Sequence, residues 1–222
     1  MKAPLSFLAS VALLVPAWAA DPITPNLQAL TADQGVKLYR ITTEWSADAG
    51  GKPALKLRTT PGEDGLVVLG GITFTNGIIE FDARGKSGPP QSNFIGVAIR
   101  VVDGTHYDHI YFRPFNFRTP IEERRIHAVQ YASLPEWPWP RLRSERAGQF
   151  EKPIEPAPDG DAWFHAKIVV QKPKVSVFVD GAKEPSLVVE ELTARTGGSV
   201  ALWCNGFGSL ANLKITPANI NQ

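Results

Sequence analysis

The chain has 222 residues, with 23 Lys and Arg against 22 Asp and Glu, 19 Gly, 19 Pro, 6 Trp and a single Cys. A length of this order fits one β-rich domain whose core is large enough to need no disulfides. The near-neutral charge excludes a basic field for nucleic acid, 43 % hydrophobic residues exclude disorder, and the lone Cys204 excludes a disulfide framework or a Cys-rich zinc site.

Residues 1–19 carry the pattern of an export signal. Lys2 gives a positive start, an apolar stretch runs from 5 to 15, and Ala17-Trp18-Ala19 offers the small residues at −3 and −1 that a signal peptidase accepts. The stretch falls short of the about 20 apolar residues of a membrane span, and no Cys stands at the cut for lipidation. The expectation is one domain over 20–222, exported to the periplasm or beyond, with no membrane insertion after cleavage. Loss of Lys2 leaves equal numbers of acidic and basic residues.

Short β-rich runs follow at 36–45, 54–60, 65–69, 77–84, 93–102, 106–113 and 126–132, then at 163–171, 174–180, 187–191, 198–204 and 210–215. Turn signals separate them, among them Gly50-Gly51, Gly70-Gly71, Gly88-Pro89-Pro90, Asp103-Gly104 and Asp180-Gly181. No window beyond the leader has a helical period. The fold class predicted is all-β, a two-sheet antiparallel sandwich or jelly roll, without repeats or a second domain. The interval 134–161 is the longest irregular stretch, of the kind that often carries function.

Alternation assigns faces. Over 77–84, Glu80, Asp82 and Arg84 point one way and Ile79, Phe81 and Ala83 the other. In the next run Ile95, Val97, Ile99 and Val101 form an apolar face with Gly96, Ala98 and Arg100 opposite. In the third, Ile110 and Phe112 oppose His109, Tyr111 and Arg113. Short connections favour antiparallel neighbours, so the three polar faces are expected to merge into one surface. Small floor residues beside long polar ones read as a cleft.

The run Asn76-Gly-Ile-Ile-Glu80-Phe-Asp82 resembles a strand of the concanavalin A-like lectin/glucanase superfamily. Tyr107-Asp-His-Ile-Tyr111-Phe-Arg113-Pro-Phe-Asn116 with His127-Ala-Val-Gln130-Tyr131 is similar to a bacterial secreted LamG-type group. So are 163–171, 177–180, 198–203 and the closing Leu210-Ala-Asn-Leu-Lys-Ile. The resemblance covers most of 36–215. It implies a concanavalin A-like jelly roll with a concave sheet that often meets carbohydrate, and includes Asn116 among the ligand contacts. Relatives implied by it are lectin-like modules, glycoside hydrolases and the 3-keto-disaccharide hydrolase group.

Several constellations carry chemistry. Glu80 and Asp82, two apart on a strand, stand roughly 6.5–7 Å apart, inside the about 5–9.5 Å used by paired carboxylates. The segment resembles the Glu-x-Asp-x-Glu motif of laminarinase-like hydrolases but has Arg84 where that motif has its second glutamate. The usual catalytic pair is therefore incomplete. Glu80, Asp82, His109 and Tyr111 are the candidates for catalysis. Arg100, Arg113 and Gln130 or His127 join His109 and Tyr111 as a glycan-contacting set, through planar guanidinium donors and rings that stack or exchange protons. The same set suits a polysaccharide lyase that offsets a uronate carboxylate. Being three apart, His127 and Gln130 do not share a strand face unless a bulge intervenes. Trp137 and Trp139, set between prolines with Arg141 and Arg143 following, read as a stiff extended loop that presents rings to a sugar. Trp45, Trp163 and Trp203 read as core. Arg118 to Arg125 reads as a solvated charge run.

His106 and Asp108 fall on one face and His109 on the other, so no metal site is expected there. No cofactor is expected either, with a structural calcium held by backbone carbonyls left open. The leading expectation is an exported protein that recognises a glycan on its polar sheet face. The alternatives are a glycoside-processing enzyme in the same cleft and an adhesive sandwich that binds protein.

Overall fold

A computed structural model describes residues 21–31, 36–60 and 62–218. The leader expected at 1–19 lies outside the described residues. The strands are β1 (Val36–Tyr39), β2 (Thr42–Ser46), β3 (Ala54–Arg58), β4 (Asp64–Phe74), β5 (Gly77–Arg84), β6 (Phe94–Val101) and β7 (Tyr107–Phe112). They continue with β8 (Val129–Leu134), β9 (Glu151–Lys152), β10 (Phe164–Gln171), β11 (Lys174–Val179), β12 (Leu187–Glu190), β13 (Gly198–Asn205) and β14 (Phe207–Pro217). Two short helices, α1 (Glu122–Arg125) and α2 (Trp139–Glu145), interrupt them.

The strands form two antiparallel sheets of seven. The first has the order β1-β4-β13-β6-β7-β8-β9 and the second β12-β11-β10-β5-β14-β3-β2. This is the two-sheet jelly roll the sequence predicts. Alternation places Ile95, Val97, Ile99, Ile110, Phe112, Leu202 and Cys204 of the first sheet against Ile79, Phe81, Ala83, Ile168 and Val177 of the second, all fully buried. Phe112 locks the layers edge-to-face, with ring centres 6.3 Å from Phe81 and 5.0 Å from Phe164.

Three expectations change here. First, β5 does not neighbour β6. The link through Gly88-Pro89-Pro90 carries the chain from one sheet to the other, so β5 pairs with β10 and β14. Glu80 and Asp82 therefore decorate the outer face of the second sheet, away from His109 and Tyr111. Glu80 lies 3.3 Å from Lys214. Asp82 accepts hydrogen bonds from Lys52 and Asn212 at 2.7 Å and contacts His165 Nδ1 at 2.8 Å.

Second, a bulge withdraws Arg100 from the polar face. Val101 pairs with Ser199 and Ala98 with Ala201, so Ile99 and Arg100 together oppose Val200. Arg100 takes a left-handed φ of 53°, which costs a side-chain-bearing residue roughly 1–2 kcal/mol. Its guanidinium is fully buried, 2.6 Å from Glu191, and Nη1 donates to Thr196 O at 2.7 Å. It thus ties β6 to the irregular strap 191–197 that connects the two sheets.

Third, the segment read as extended loop contains α2. Pro138 caps it and Pro140 falls in its first turn, where the missing N–H costs nothing and the fixed φ is already helical. Alternating Pro and Trp marks a helix start here.

Candidate functional site

The outer face of the first sheet carries a cleft of about 780 Å³. Its floor comes from the outward positions of β6, β7 and β13: Phe94, His109, Tyr111 and Trp203. Gly96 and Ala98 keep the floor low beside them. A Cβ on Gly96 would stand 2.7 Å from Tyr111 Cα, so only glycine lets β6 and β7 approach as they do. The walls are Phe115 and Asn116 after β7, Arg124 of α1, His127, and Leu134, Pro138, Trp139, Pro140 and Arg143 around α2. Asp64 and Asn205 close one end.

Trp203 is buried, as the sequence predicts, but in a cluster with Leu66, Ala98, Tyr107, Tyr111 and Ala201 on the outer face of the first sheet rather than between the sheets, where it meets this floor. β13 is central and covered on both faces, so it reads as a continuous apolar run in which alternation does not show. The rings of His109, Tyr111 and Trp203 form a triangular cluster, with centres 4.9 Å apart for His109–Tyr111 and 4.7 Å for Tyr111–Trp203, both tilted, and 4.8 Å for His109–Trp203, edge-to-face. Burial in this box lowers the His109 pKa to about 4, against the opposing pull of Asp64 and Asp108. Burial raises the Tyr111 phenol to about 12. Both groups are neutral at pH 7.

A polar lattice holds the ring cluster. Tyr111 OH donates to Gln130 Oε1 at 2.8 Å, and Arg113 Nη2 donates to Tyr111 OH at 2.9 Å and to Gln130 Oε1. Arg113 Nη1 and Asn116 Nδ2 both donate to the carbonyl of His127. Glu151 of β9, which no sequence motif signalled, sits behind the wall. Arg143 binds it with two nitrogens at 2.9–3.0 Å, His127 Nδ1 is 2.8 Å away and Arg113 is 3.7 Å away. Despite that carboxylate, burial holds the His127 pKa below its usual value. Asp64 accepts from Tyr107 OH at 2.9 Å and from Asn205 Nδ2 at 3.0 Å.

Of the expected ligand contacts, the cleft brings together Arg113, Asn116, His127, Trp139 and Arg143, along with His109 and Tyr111. Gln130 lies fully buried beside Tyr111. His127 and Gln130 both take part because β8 begins at Val129, so strand parity does not reach His127. Arg100, Glu80 and Asp82 are not in the cleft. Trp137 turns instead onto the main core, held between the guanidiniums of Arg141 and Arg146 at 4.0 and 4.5 Å from its ring centre. Arg141 is spent on that stack and on Glu145. Trp139 stays 47 % exposed, with Arg143 4.8 Å from its ring centre. Trp163 leaves the core too, packing outside the second sheet with Nε1 donating to Gly50 O.

Three cleft-lining residues carry a buried polar atom with no partner among the described residues, His109 Nδ1, Asn116 Oδ1 and Trp203 Nε1, and Gln130 Nε2 behind Tyr111 is a fourth. Such atoms are rare in folded proteins, and three of them among the residues lining one cleft suit a ligand that hydrogen-bonds, although others lie elsewhere, around Arg100, Glu191 and Arg195. A smaller depression of about 450 Å³ on the outer face of the second sheet, lined by Thr42, Glu44, Lys56, Arg58 and Phe207, holds none. Nor do the described residues contain a group of three or more metal-ligating side chains. No helix among them is long and apolar enough to cross a membrane.

No protein-family model matches this chain, and no curated protein matches it either. Solved structures do. The chain is similar to a Bacillus subtilis protein of unknown function with a galectin-like fold, at a TM-score of 0.56 and 14 % identity over 91 % of this chain and 97 % of that one. It is also similar to the carbohydrate-binding module CBM66 from Bacillus subtilis, at a TM-score of 0.53 and 13 % identity, covering 81 % of this chain and 97 % of that one. The likeness is one of fold: a two-sheet jelly roll, galectin-like in the first of these structures.

Proposed function

We propose that this chain is an exported carbohydrate-binding protein that holds a glycan in the cleft on the outer face of its first sheet. The observation that carries the reading is the set of three partnerless buried polar atoms, on His109, Asn116 and Trp203, in a cleft that an exposed Trp139 also lines. Sugar hydroxyls both donate and accept, which suits a set that mixes N–H donors with the Asn116 acceptor. Trp139 supplies the apolar plane on which a sugar ring's C–H face stacks. The fold shared with a carbohydrate-binding module agrees with this reading, and the leader-like residues 1–19 support export to the periplasm or beyond.

Glycoside processing in the same cleft is the second reading, in line with the resemblance to the 3-keto-disaccharide hydrolase group. It draws on His109 and Tyr111, whose pKa values are displaced in opposite directions while their rings touch. Binding is favoured because the carboxylates at the cleft, Asp64 and Glu151, are both engaged by protein partners.

A glycan panel screened with the protein from Ala20 onward tests the proposal. Binding that falls at least about tenfold in Trp139→Ala is expected. Failure to bind any glycan, or binding indifferent to Trp139, overturns it. Mass spectrometry of the incubated glycans separates the two readings: intact chains fit a binder, and new fragments establish an enzyme.

A further inference from the structure

The charges around the cleft do not balance. Three guanidiniums line it, those of Arg113, Arg124 and Arg143, against the single carboxylate of Asp64 among the described lining residues. Glu151 behind the wall serves both Arg143, through two nitrogens, and Arg113 at 3.7 Å, besides His127. Arg113 is only 5 % exposed, so it sits out of water with a shared countercharge. A buried charge in that condition is costly until more negative charge arrives. Arg124 makes no ion pair among the described residues, and its Nη1 donates to the neutral Gln91 Oε1 at 2.6 Å. Beside these cations, Trp203 Nε1 and Gln130 Nε2 are buried N–H donors that lack an acceptor.

Resting on the glycan reading above, we propose that the ligand is an acidic saccharide built from uronic acid units. A carboxylate is planar and offers two oxygens, which is the geometry a guanidinium fork matches. Arg124, exposed on the wall, receives a carboxylate group, Arg113 adds positive charge from behind the floor, and Trp139 covers the apolar face of a ring. Arg100, the other arginine of the polar strands, takes no part because Glu191 already neutralises it.

The test uses pairs of oligosaccharides identical except at C6. Tetramers of galacturonic, mannuronic and glucuronic acid are titrated calorimetrically at low salt beside their carboxyl-reduced, neutral counterparts. At least one acid is expected to bind about tenfold or more tightly than its reduced partner, with the gap shrinking as salt screens the charges. Arg124→Gln is expected to weaken that binding more than about threefold. Arg118→Gln, equally basic but outside the cleft, leaves it unchanged. Equal affinity within every pair, or binding of neutral glycans alone, overturns the acidic-saccharide inference and leaves carbohydrate binding standing. Equal losses in Arg118→Gln and Arg124→Gln overturn it also, since they reduce the effect to net charge. Absence of binding to any glycan, neutral or acidic, overturns the underlying reading as well.

Discussion

Acidification from pH 7 to about 4.5 withdraws stability that His109 contributes as a neutral, buried ring. Its pKa in the folded chain is about 4, against about 6.5 in an unfolded chain. Between those values the unfolded state binds a proton that the folded state refuses, so stability falls as the pH drops through this window. A separation of about 2.5 units corresponds to roughly 3 kcal/mol, most of it expressed by pH 4.5. His127, whose pKa burial also lowers, acts in the same sense, and Glu191, whose pKa burial raises, acts in the opposite one. Both are common to wild type and a His109→Gln variant, so the difference between the two pH profiles isolates His109. Urea denaturation of each protein at several pH values gives the measurement. The variant is expected to be less stable at pH 7 and to lose less between pH 7 and about 4.5, by roughly 2 kcal/mol. Parallel profiles would refute the neutral imidazole and the aromatic box that produces it.

Arg100→Met strands Glu191, leaving it only Lys172 at 3.4 Å. A loss of about 3–5 kcal/mol is expected in a denaturant melt, largely restored by adding Glu191→Met; a single variant as stable as wild type contradicts the buried pair. Gly96→Ala pushes a methyl group into the backbone at Tyr111 and should cost roughly 1–3 kcal/mol. Its thermal midpoint drops if β6 and β7 pack as described and holds if they do not. Glu80→Gln, on the opposite sheet, leaves glycan affinity and any product profile unchanged; a changed profile would return that strand to the functional site.

The two-sheet fold was legible because core-facing residues alternate strictly, as at Ile95, Val97 and Ile99 or Ile79, Phe81 and Ala83. His109, Tyr111 and Arg113 followed from the same parity, and they do share a cleft. Alternation says nothing about which sheet a strand joins, which is how Glu80 and Asp82 were grouped with His109. It also fails at an unannounced bulge, and the one at Ile99 and Arg100 turned a floor residue into a buried ion pair. The burial of Trp203 was legible but its face was not, because a strand buried on both faces is apolar throughout. Phe94, Gly96 and Ala98 gave a signal for that floor, and Ala201, Trp203 and Asn205 repeat it at the same period. Glu151 left no signal, since it reaches Arg113 and Arg143 only through the long excursion between β8 and β9.

The location of the ligand is the central claim, and the indole N–H signals of the tryptophans report it directly. The protein from Ala20 onward carries Trp45, Trp137, Trp139, Trp163 and Trp203. Trp139 and Trp203 line the cleft, while Trp163 lies outside the second sheet. In an NMR titration with the tightest-binding oligosaccharide, Trp139 and Trp203 are expected to shift while Trp163 and Trp45 stay in place. A Trp163 signal that moves while Trp139 and Trp203 hold still would put the ligand on the other sheet and contradict the account.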